Sequence, residues 1–236
     1  MDHITPVILI GGLGSRLRPI VRDRPKGIAE VNGKPFAYYI LNQLESHGFK
    51  KVVLCTGYMS LEIKEALKLI PFEIKVEYSE EATPLGTAGA LRNALSRIDT
   101  THIMLMNGDS YCDLNISKLI LKSQEAKAEC LMTLIHLKDS QRFGAVQIND
   151  KGFVTQFLSR PKAPSNSLIN AGIYIFSKTL IENIPPNKKL SLEEDFLHSW
   201  ATENKIKAYL HTGRFIDIGT PNSYNKSHSF FQISNL

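Results

Sequence analysis

Short unbroken apolar runs alternate with stretches of helical spacing through the first two thirds of the chain. VILI at 7–10, KVVLCT at 51–56, EIKVEY at 73–78 and THIMLMNGD at 101–109 read as strands. The first has no polar alternation, the pattern of a strand covered on both faces. Between them, KPFAYYILNQLESHG at 34–48 carries Phe36, Ile40 and Leu44 at a spacing of four, with Pro35 suited to the first helical turn. LEIKEALKLI at 61–70 and GTAGALRNAL at 86–95 are helical by the same reading. Strand–helix–strand repetition of this kind predicts right-handed crossovers and a mostly parallel sheet.

After residue 128 the pattern shortens. ECLMTLIHL, FGAVQIND, GFVTQFL and NAGIYIF are brief strands separated by turn residues, which suggests a mixed sheet extending the first. SRPKAPSNS at 159–167 is the most loop-like segment. SLEEDFLHSWATEN at 191–204 opens with Ser191 and Glu194 in capping-box spacing and predicts a helix. A last strand, RFIDI at 214–218, runs into Gly219-Thr220-Pro221, where Thr220 can cap and Pro221 can open a terminal helix. Polar clusters follow three of the strands: GGLGSR, NGDS and DIGT. Ligands of open parallel sheets bind outside the carboxyl ends of the strands, so these clusters mark the expected site.

The 236 residues suffice for one sizeable core, and a single domain over 1–236 is expected. With 43% hydrophobic and 22% charged residues, the composition is that of a soluble globular protein. No apolar run approaches the roughly 20 residues of a membrane span. The first apolar run is also too short for a signal peptide. Cys55, Cys112 and Cys130 lack metal-ligand spacing and read as reduced thiols, pointing to the cytoplasm. None of the seven histidines has ligand spacing either. A formal charge of +5 favours an anionic partner. Because the basic residues are scattered, without a basic tract or stacking aromatics, a small phosphorylated ligand fits better than nucleic acid.

The segment GGLGSRLRP at 11–19 carries the candidate chemistry. Gly11, Gly12 and Gly14 permit close backbone approach, while Arg16 and Arg18 bring cations to the same turn. Backbone N–H groups beside guanidinium forks suit a polyphosphate; the alternative is a tight turn with arginines on a solvated rim. Two familiar phosphate loops fail. G-x-G-x-x-G would need glycine where Leu17 stands, and a P-loop would need one at Arg16.

The remaining pattern, G-G-x-G-x-R-L followed by Pro25-Lys26 and by VNGKP at 31–35, resembles the sugar-1-phosphate nucleotidyltransferases. The resemblance continues in the family's order through PLGTAGAL (84–91), NGDS (107–110), FG (143–144), LINAGIYIF (168–176), SLEED (191–195) and DIGTP (217–221). It implies an α/β fold, a Rossmann-like three-layer αβα sandwich with a mostly parallel central sheet and mixed C-terminal strands. By the same resemblance the sequence is expected to correspond to that family's catalytic domain, without the β-helix domain of longer members.

The implied reaction is attack by a sugar 1-phosphate oxygen on the α-phosphorus of a nucleoside triphosphate, releasing pyrophosphate. A phosphate monoester, with a second pKa of about 6, is already ionised at neutral pH. Such a nucleophile needs no general base, so the work falls on positioning, cations and Mg²⁺.

By the same resemblance, Gly11, Gly12, Gly14 and Ser15 would bind the nucleotide, with Arg16 on its β- and γ-phosphates. Lys26 would bridge the phosphates of both substrates. Gly86, Thr87 and Gly89 match the segment lying against base and ribose, although small residues at a helix start also suit packing on a sheet. Asp109 and Asp217 would hold Mg²⁺, which favours one or two carboxylates plus phosphate oxygens. Asp109 alone could be a turn or hairpin aspartate, but IMLM before it does not alternate as a hairpin strand should.

Gly144, Asn170 and Glu193 match sugar-pocket positions, and Glu193 could equally serve the helix dipole. Two departures stand out. Ser159-Arg160-Pro161 replaces the family's Glu-Lys-Pro, so Arg160 can bind phosphate but Ser159 supplies no carboxylate. Gly27 replaces a common proline and is expected to loosen its loop.

Among short relatives, GGLGSRLRPIV, LINAGIYIF and GRFIDIGTP look most like the bacterial heptose 1-phosphate guanylyltransferases. Mannose, glucose and N-acetylmuramate 1-phosphate remain alternative acceptors. A non-catalytic paralogue would show loss of Lys26 or of the aspartates, and all are present. No membrane partner is expected, and a homodimer is compatible with the resemblance.

Overall fold

Most of the VILI run lies in β1 (Ile4–Leu9), an inner strand of a seven-stranded sheet, with Ile10 just beyond the strand end. The computed structural model describes residues 3–12, 21, 24–57, 59–159, 162 and 164–232. After β1, a short antiparallel pair, β2 (Glu30–Val31) and β3 (Lys34–Pro35), leads into α1 (Phe36–Ser46). Pro35, with φ −62° and ψ 145°, caps that helix from outside rather than occupying its first turn. The chain continues through β4 (Lys51–Thr56), α2 (Ser60–Lys68), β5 (Lys75–Glu80), α3 (Gly86–Ala94) and β6 (His102–Asn107).

The second half comprises β7 (Ser110–Cys112), α4 (Ile116–Glu125), β8 (Cys130–Leu137), β9 (Ala145–Ile148), β10 (Val154–Leu158), β11 (Ser167–Ser177) and α5 (Lys178–Glu182). It ends with α6 (His198–Thr202), β12 (Ile206–His211), β13 (Phe215–Asp217) and α7 (Pro221–Gln232). Residues Leu192–Leu197, wound at the wider π pitch, run directly into α6.

The sheet order is β12-β8-β11-β6-β1-β4-β5. Every pairing is parallel except the two made by β11. Alternate residues of each central strand feed two separate apolar cores. Ile4 and Ile8 of β1, Val52 and Leu54 of β4, and Met104 and Met106 of β6 pack with α1, α2, α4 and α7. Val7, Val53, Cys55, Ile103 and Leu105 pack with α3, α5 and α6. The sheet is therefore the middle of three layers, and its strands lack polar alternation because both faces are covered.

Two expectations about the later strands need correction. The FGAVQIND and GFVTQFL segments form the antiparallel ribbon β9–β10, outside the seven-stranded sheet. The RFIDI segment pairs as β13 with β7, also outside it. Sheet membership depends on partners far away in sequence, which local pattern does not report.

The third strand of the sheet's second half is IKAYLH, β12. It occupies the sheet edge against β8, and its half-exposed residues give only a weak periodic signal. Gly27 is also not a loosening element. The turn at Pro25–Ala29 closes through Ile28 N to Pro25 O at 3.1 Å and Ala29 N to Lys26 O at 2.9 Å. A Cβ at Gly27 would stand 2.3 Å from Ile10 Cγ1.

Candidate active site

Two cavities open at the carboxyl ends of the parallel strands. The smaller, about 390 Å³, is walled by Leu9, Gly11, Gly12, Gly57, Glu81 and Thr87, among others. Backbone bonds close one side of it. Ile10 N and Gly11 N both donate to Cys55 O at 3.1 Å, bringing the end of β1 onto the end of β4. A Cβ on Gly11 would lie 2.5 Å from Gly57 N, so only glycine allows this approach. Gly12 faces open space. The remaining loop residues expected to bind nucleotide, Gly14, Ser15 and Arg16, together with Arg18, lie outside the described residues.

The far wall of this cavity is the start of α3. Gly86, at φ +71°, and Gly89 would each place a Cβ 2.5 Å from a carbonyl, Leu190 O and Lys188 O respectively. Leu190 N donates to Leu85 O at 2.8 Å and Ala88 N to Leu190 O at 3.0 Å, so the helix start is hooked to the 188–192 strap. Glu81 accepts from Leu85 N at 2.7 Å, and burial raises its carboxyl above the usual range.

The larger cavity, about 690 Å³, is lined by Asp109, Arg142, Asn170, Glu193 and Asp217, with Phe143, Gly172 and Phe215 among its other walls. Asp109 and Asp217 come together through the β7–β13 ribbon, in which Ser110 faces Asp217. Ile218 N donates to Asp109 O at 2.9 Å, closing the pair. The hairpin alternative for Asp109 fails, since β6 pairs with β1 and β11 while β7 pairs with β13.

Buried Gln43 of α1 anchors the end of β7 by donating Nε2 to Cys112 O at 2.9 Å and to Leu114 O at 3.3 Å. Its polar role is hidden within an otherwise apolar helix face.

Each acid carries a cation. Lys26 Nζ lies 3.4 Å from Asp109 Oδ2, and with its side chain only 13% exposed the lysine is held rather than solvated. Arg142 forks onto both oxygens of Asp217, its Nη1 lying 3.2 Å from Oδ2. Gly219 N also donates to Asp217 Oδ2 at 2.9 Å. Arg142 stacks on Phe143, with its guanidinium carbon 4.2 Å from the ring centroid. Sequence reasoning marked Phe143-Gly144 but passed over the arginine beside them. The signal was present in Arg-Phe-Gly, a cation ahead of a motif turn.

The other expected sugar-side positions divide. Asn170 lines the cavity through a bulge in β11, where the register shifts between Asn170 and Tyr174. Its Oδ1 accepts from Gly172 N at 3.0 Å and its Nδ2 donates to Tyr174 Oη at 2.6 Å. Gly172, at φ +74°, lies against Asn107, so no side chain fits at this bulge. Glu193 lines the same cavity, and its Oε2 accepts from Thr87 Oγ1 at 2.8 Å.

Gly144 does not reach the cavity lining. At φ +84° it turns the chain from Phe143 into β9. Ser159 is exposed, and Arg160 lies outside the described residues. The capping box is altered too. Ser191 Oγ accepts from Glu194 N at 3.2 Å, but Asp195, one residue later, returns the bond to Ser191 N at 2.7 Å. Asp195 N in turn donates to Ser191 O at 3.0 Å.

Among the described residues no cluster of three His, Cys, Asp or Glu could hold a metal. Asp109 and Asp217 offer two carboxylates and leave room in the cavity for phosphate oxygens and water. That all-oxygen donor set fits a hard divalent cation.

The Nucleotidyl transferase family profile matches residues 5–233 of the chain. The chain is 38% identical over 218 residues to the D-glycero-alpha-D-manno-heptose 1-phosphate guanylyltransferase of Campylobacter jejuni, covering 92% of this chain and 96% of that protein. It is 32% identical over 226 residues to the enzyme of the same name from Aneurinibacillus thermoaerophilus, covering 96% and 97%. The crystal structure of HddC from Yersinia pseudotuberculosis superposes with a TM-score of 0.87 at 35% identity, covering 96% of this chain and 99% of that one. A second structure of that protein, complexed with GMP-PN, superposes with a TM-score of 0.85. On the span of the profile match, the mostly parallel three-layer fold and these relatives, the chain belongs to the nucleotidyl transferase family.

Proposed function

We propose that this protein transfers guanylyl from GTP to D-glycero-α-D-manno-heptose 1-phosphate, giving GDP-heptose and pyrophosphate. Residues 1–236 act as one catalytic domain in the cytoplasm, where the triphosphate is available. The observation that carries the reading is the pairing of β7 with β13. It sets Asp109 and Asp217 in one wall of the larger cavity, each beside its own cation.

The triphosphate occupies the smaller cavity, its phosphates running past Gly11 and Gly12 toward Lys26, while Arg16 is assigned to them by the family pattern alone. Glu81 supplies an acceptor there, the polarity that the N1–H and N2–H₂ edge of guanine requires. The sugar 1-phosphate occupies the larger cavity, its hydroxyls near Glu193 and Asn170 and its phosphate near Arg142, while Arg160 is assigned to that phosphate by the family pattern alone.

One phosphate oxygen forms a new bond to the α-phosphorus while the bond from that phosphorus to the bridging oxygen of pyrophosphate breaks. No proton need move, because the attacking phosphate is already an anion. Lys26 offsets charge as the two phosphates approach, and the fixed cavity walls hold them in line. Asp109 and Asp217 would hold Mg²⁺, which when bound screens the phosphate charge that otherwise opposes attack.

The deciding experiment is a matrix of GTP, ATP, CTP, UTP and dTTP against heptose, mannose, glucose and N-acetylmuramate 1-phosphates, read by Mg²⁺-dependent pyrophosphate release. The largest kcat/KM is expected for GTP with the heptose ester. Equal or better turnover with another pair would replace the assigned substrates, and absence of pyrophosphate from every pair would overturn the activity.

A further inference from the structure

We infer that Thr87 is a positioning residue that couples the two substrate cavities, setting Glu193 for the sugar when nucleotide seats against α3. This rests on the nucleotidyltransferase reading and extends it, since the contact joins two sites that chemistry would otherwise treat separately.

Thr87 lines the smaller cavity and Glu193 the larger, 106 positions apart in the chain. The Thr87 hydroxyl is used in both directions. It accepts from Leu192 N at 2.7 Å and donates to Glu193 Oε2 at 2.8 Å. That single oxygen therefore fixes both the backbone and the side chain at the start of the π-wound turn. Ser191 Oγ donates to the same Glu193 oxygen at 3.2 Å. Glu193 Oε1 accepts from none of the described residues, which leaves it to the contents of the larger cavity.

The surroundings make this contact a stiff link. Gly86 and Gly89 press α3 onto the carbonyls of Leu190 and Lys188 with no room for a Cβ. Leu190 exchanges backbone bonds with Leu85 and Ala88. A displacement of the α3 start on nucleotide binding must therefore move the strap that carries Glu193, because close-packed contacts transmit shifts instead of absorbing them. Segments wound at the π pitch lack the full α ladder and are often found at functional positions.

The test compares the wild-type protein with Thr87→Val, which keeps the shape and removes the hydroxyl, and Thr87→Ser, which keeps the hydroxyl. The first readout is amide hydrogen exchange at 190–195 with guanosine 5′-[α,β-methylene]triphosphate and no sugar. The ATP, CTP, UTP and dTTP counterparts form the other arms, and binding of each is measured by calorimetry.

The bound nucleotide is expected to slow exchange at 190–195 at least fivefold in the wild type and in Thr87→Ser, but less than twofold in Thr87→Val. The second readout is kinetic. Thr87→Val should raise KM for the sugar 1-phosphate about tenfold, with KM for the triphosphate changed less than threefold.

Equal protection in the valine variant, or no protection in the wild type by a nucleotide shown to bind, would overturn the coupling. A change confined to the triphosphate KM would make Thr87 an ordinary nucleotide contact and overturn it as well. Should the guanine analogue not bind while another does, the guanine assignment falls and the coupling is judged on the nucleotide that binds. Should none bind, both readings fall together.

Discussion

The two cavities are built by opposite means. The smaller is bounded by strand ends and glycine backbone, with Gly11 against Gly57, and Gly86 and Gly89 against the 188–190 strap. The larger is furnished by charged side chains carried on a ribbon, a bulge and a π-wound turn: Asp217, Asn170 and Glu193. A backbone surface serves a ligand part common to many substrates, such as a phosphate chain or ribose. Side chains on irregular elements can be exchanged without rebuilding the sheet, which suits them to tuning a pocket for one ligand. The difference predicts that side-chain substitutions act chiefly on chemistry and sugar use, while the nucleotide side fails chiefly through steric insertion.

The largest effect is expected at the acidic pair of the larger cavity. Asp109→Asn or Asp217→Asn should lower Mg²⁺-dependent kcat about 10³-fold while circular dichroism stays unchanged, since several kcal/mol of charge stabilisation depend on the ion. Activity retained within tenfold would remove the metal role. Lys26→Met should reduce kcat/KM for both substrates about 10²-fold, the scale of losing one charge-stabilising donor. A loss confined to one substrate would place Lys26 on that side alone.

Arg142→Lys keeps the charge but not the fork. It should raise KM for the sugar 1-phosphate about tenfold and leave KM for the triphosphate unchanged, because the two-oxygen grip on Asp217 requires a guanidinium. A raised triphosphate KM instead would erase the contrast between the cavities. Gly89→Ala, on the backbone side, should cost about 1–3 kcal/mol of stability by forcing a Cβ onto Lys188 O, read from urea unfolding. Unchanged stability would show that the strap yields.

Much of the fold was legible because the central strands are covered on both faces. Their apolar runs at 51–56 and 101–107 need no partner to be recognised, and the capping signals at Ser191 and Thr220 are local. The later elements were harder. Whether Ala145–Ile148 joins the main sheet or pairs with Val154–Leu158 is decided by distant packing, not by its own residues.

The same holds in the site. Asp109, Asn170 and Glu193 announce themselves in short strings that the cavity lining then gathers. The roles of Arg142 and Gln43 come from partners far along the chain, Asp217 and the carbonyls of Cys112 and Leu114. The arginine at least stands ahead of the Phe143-Gly144 motif, whereas a lone glutamine on an apolar helix gives nothing by which sequence alone can single it out.

The β7–β13 ribbon joins one residue from the middle of the chain to another near its end, so the acidic pair does not exist until the last segment docks. Contacts of such separation close late in folding, after local strands and helices have formed. During refolding, the fluorescence of the sole tryptophan, Trp200, should recover ahead of transferase activity. A chain still emerging during synthesis would likewise lack the acidic pair until β13 had emerged and paired with β7.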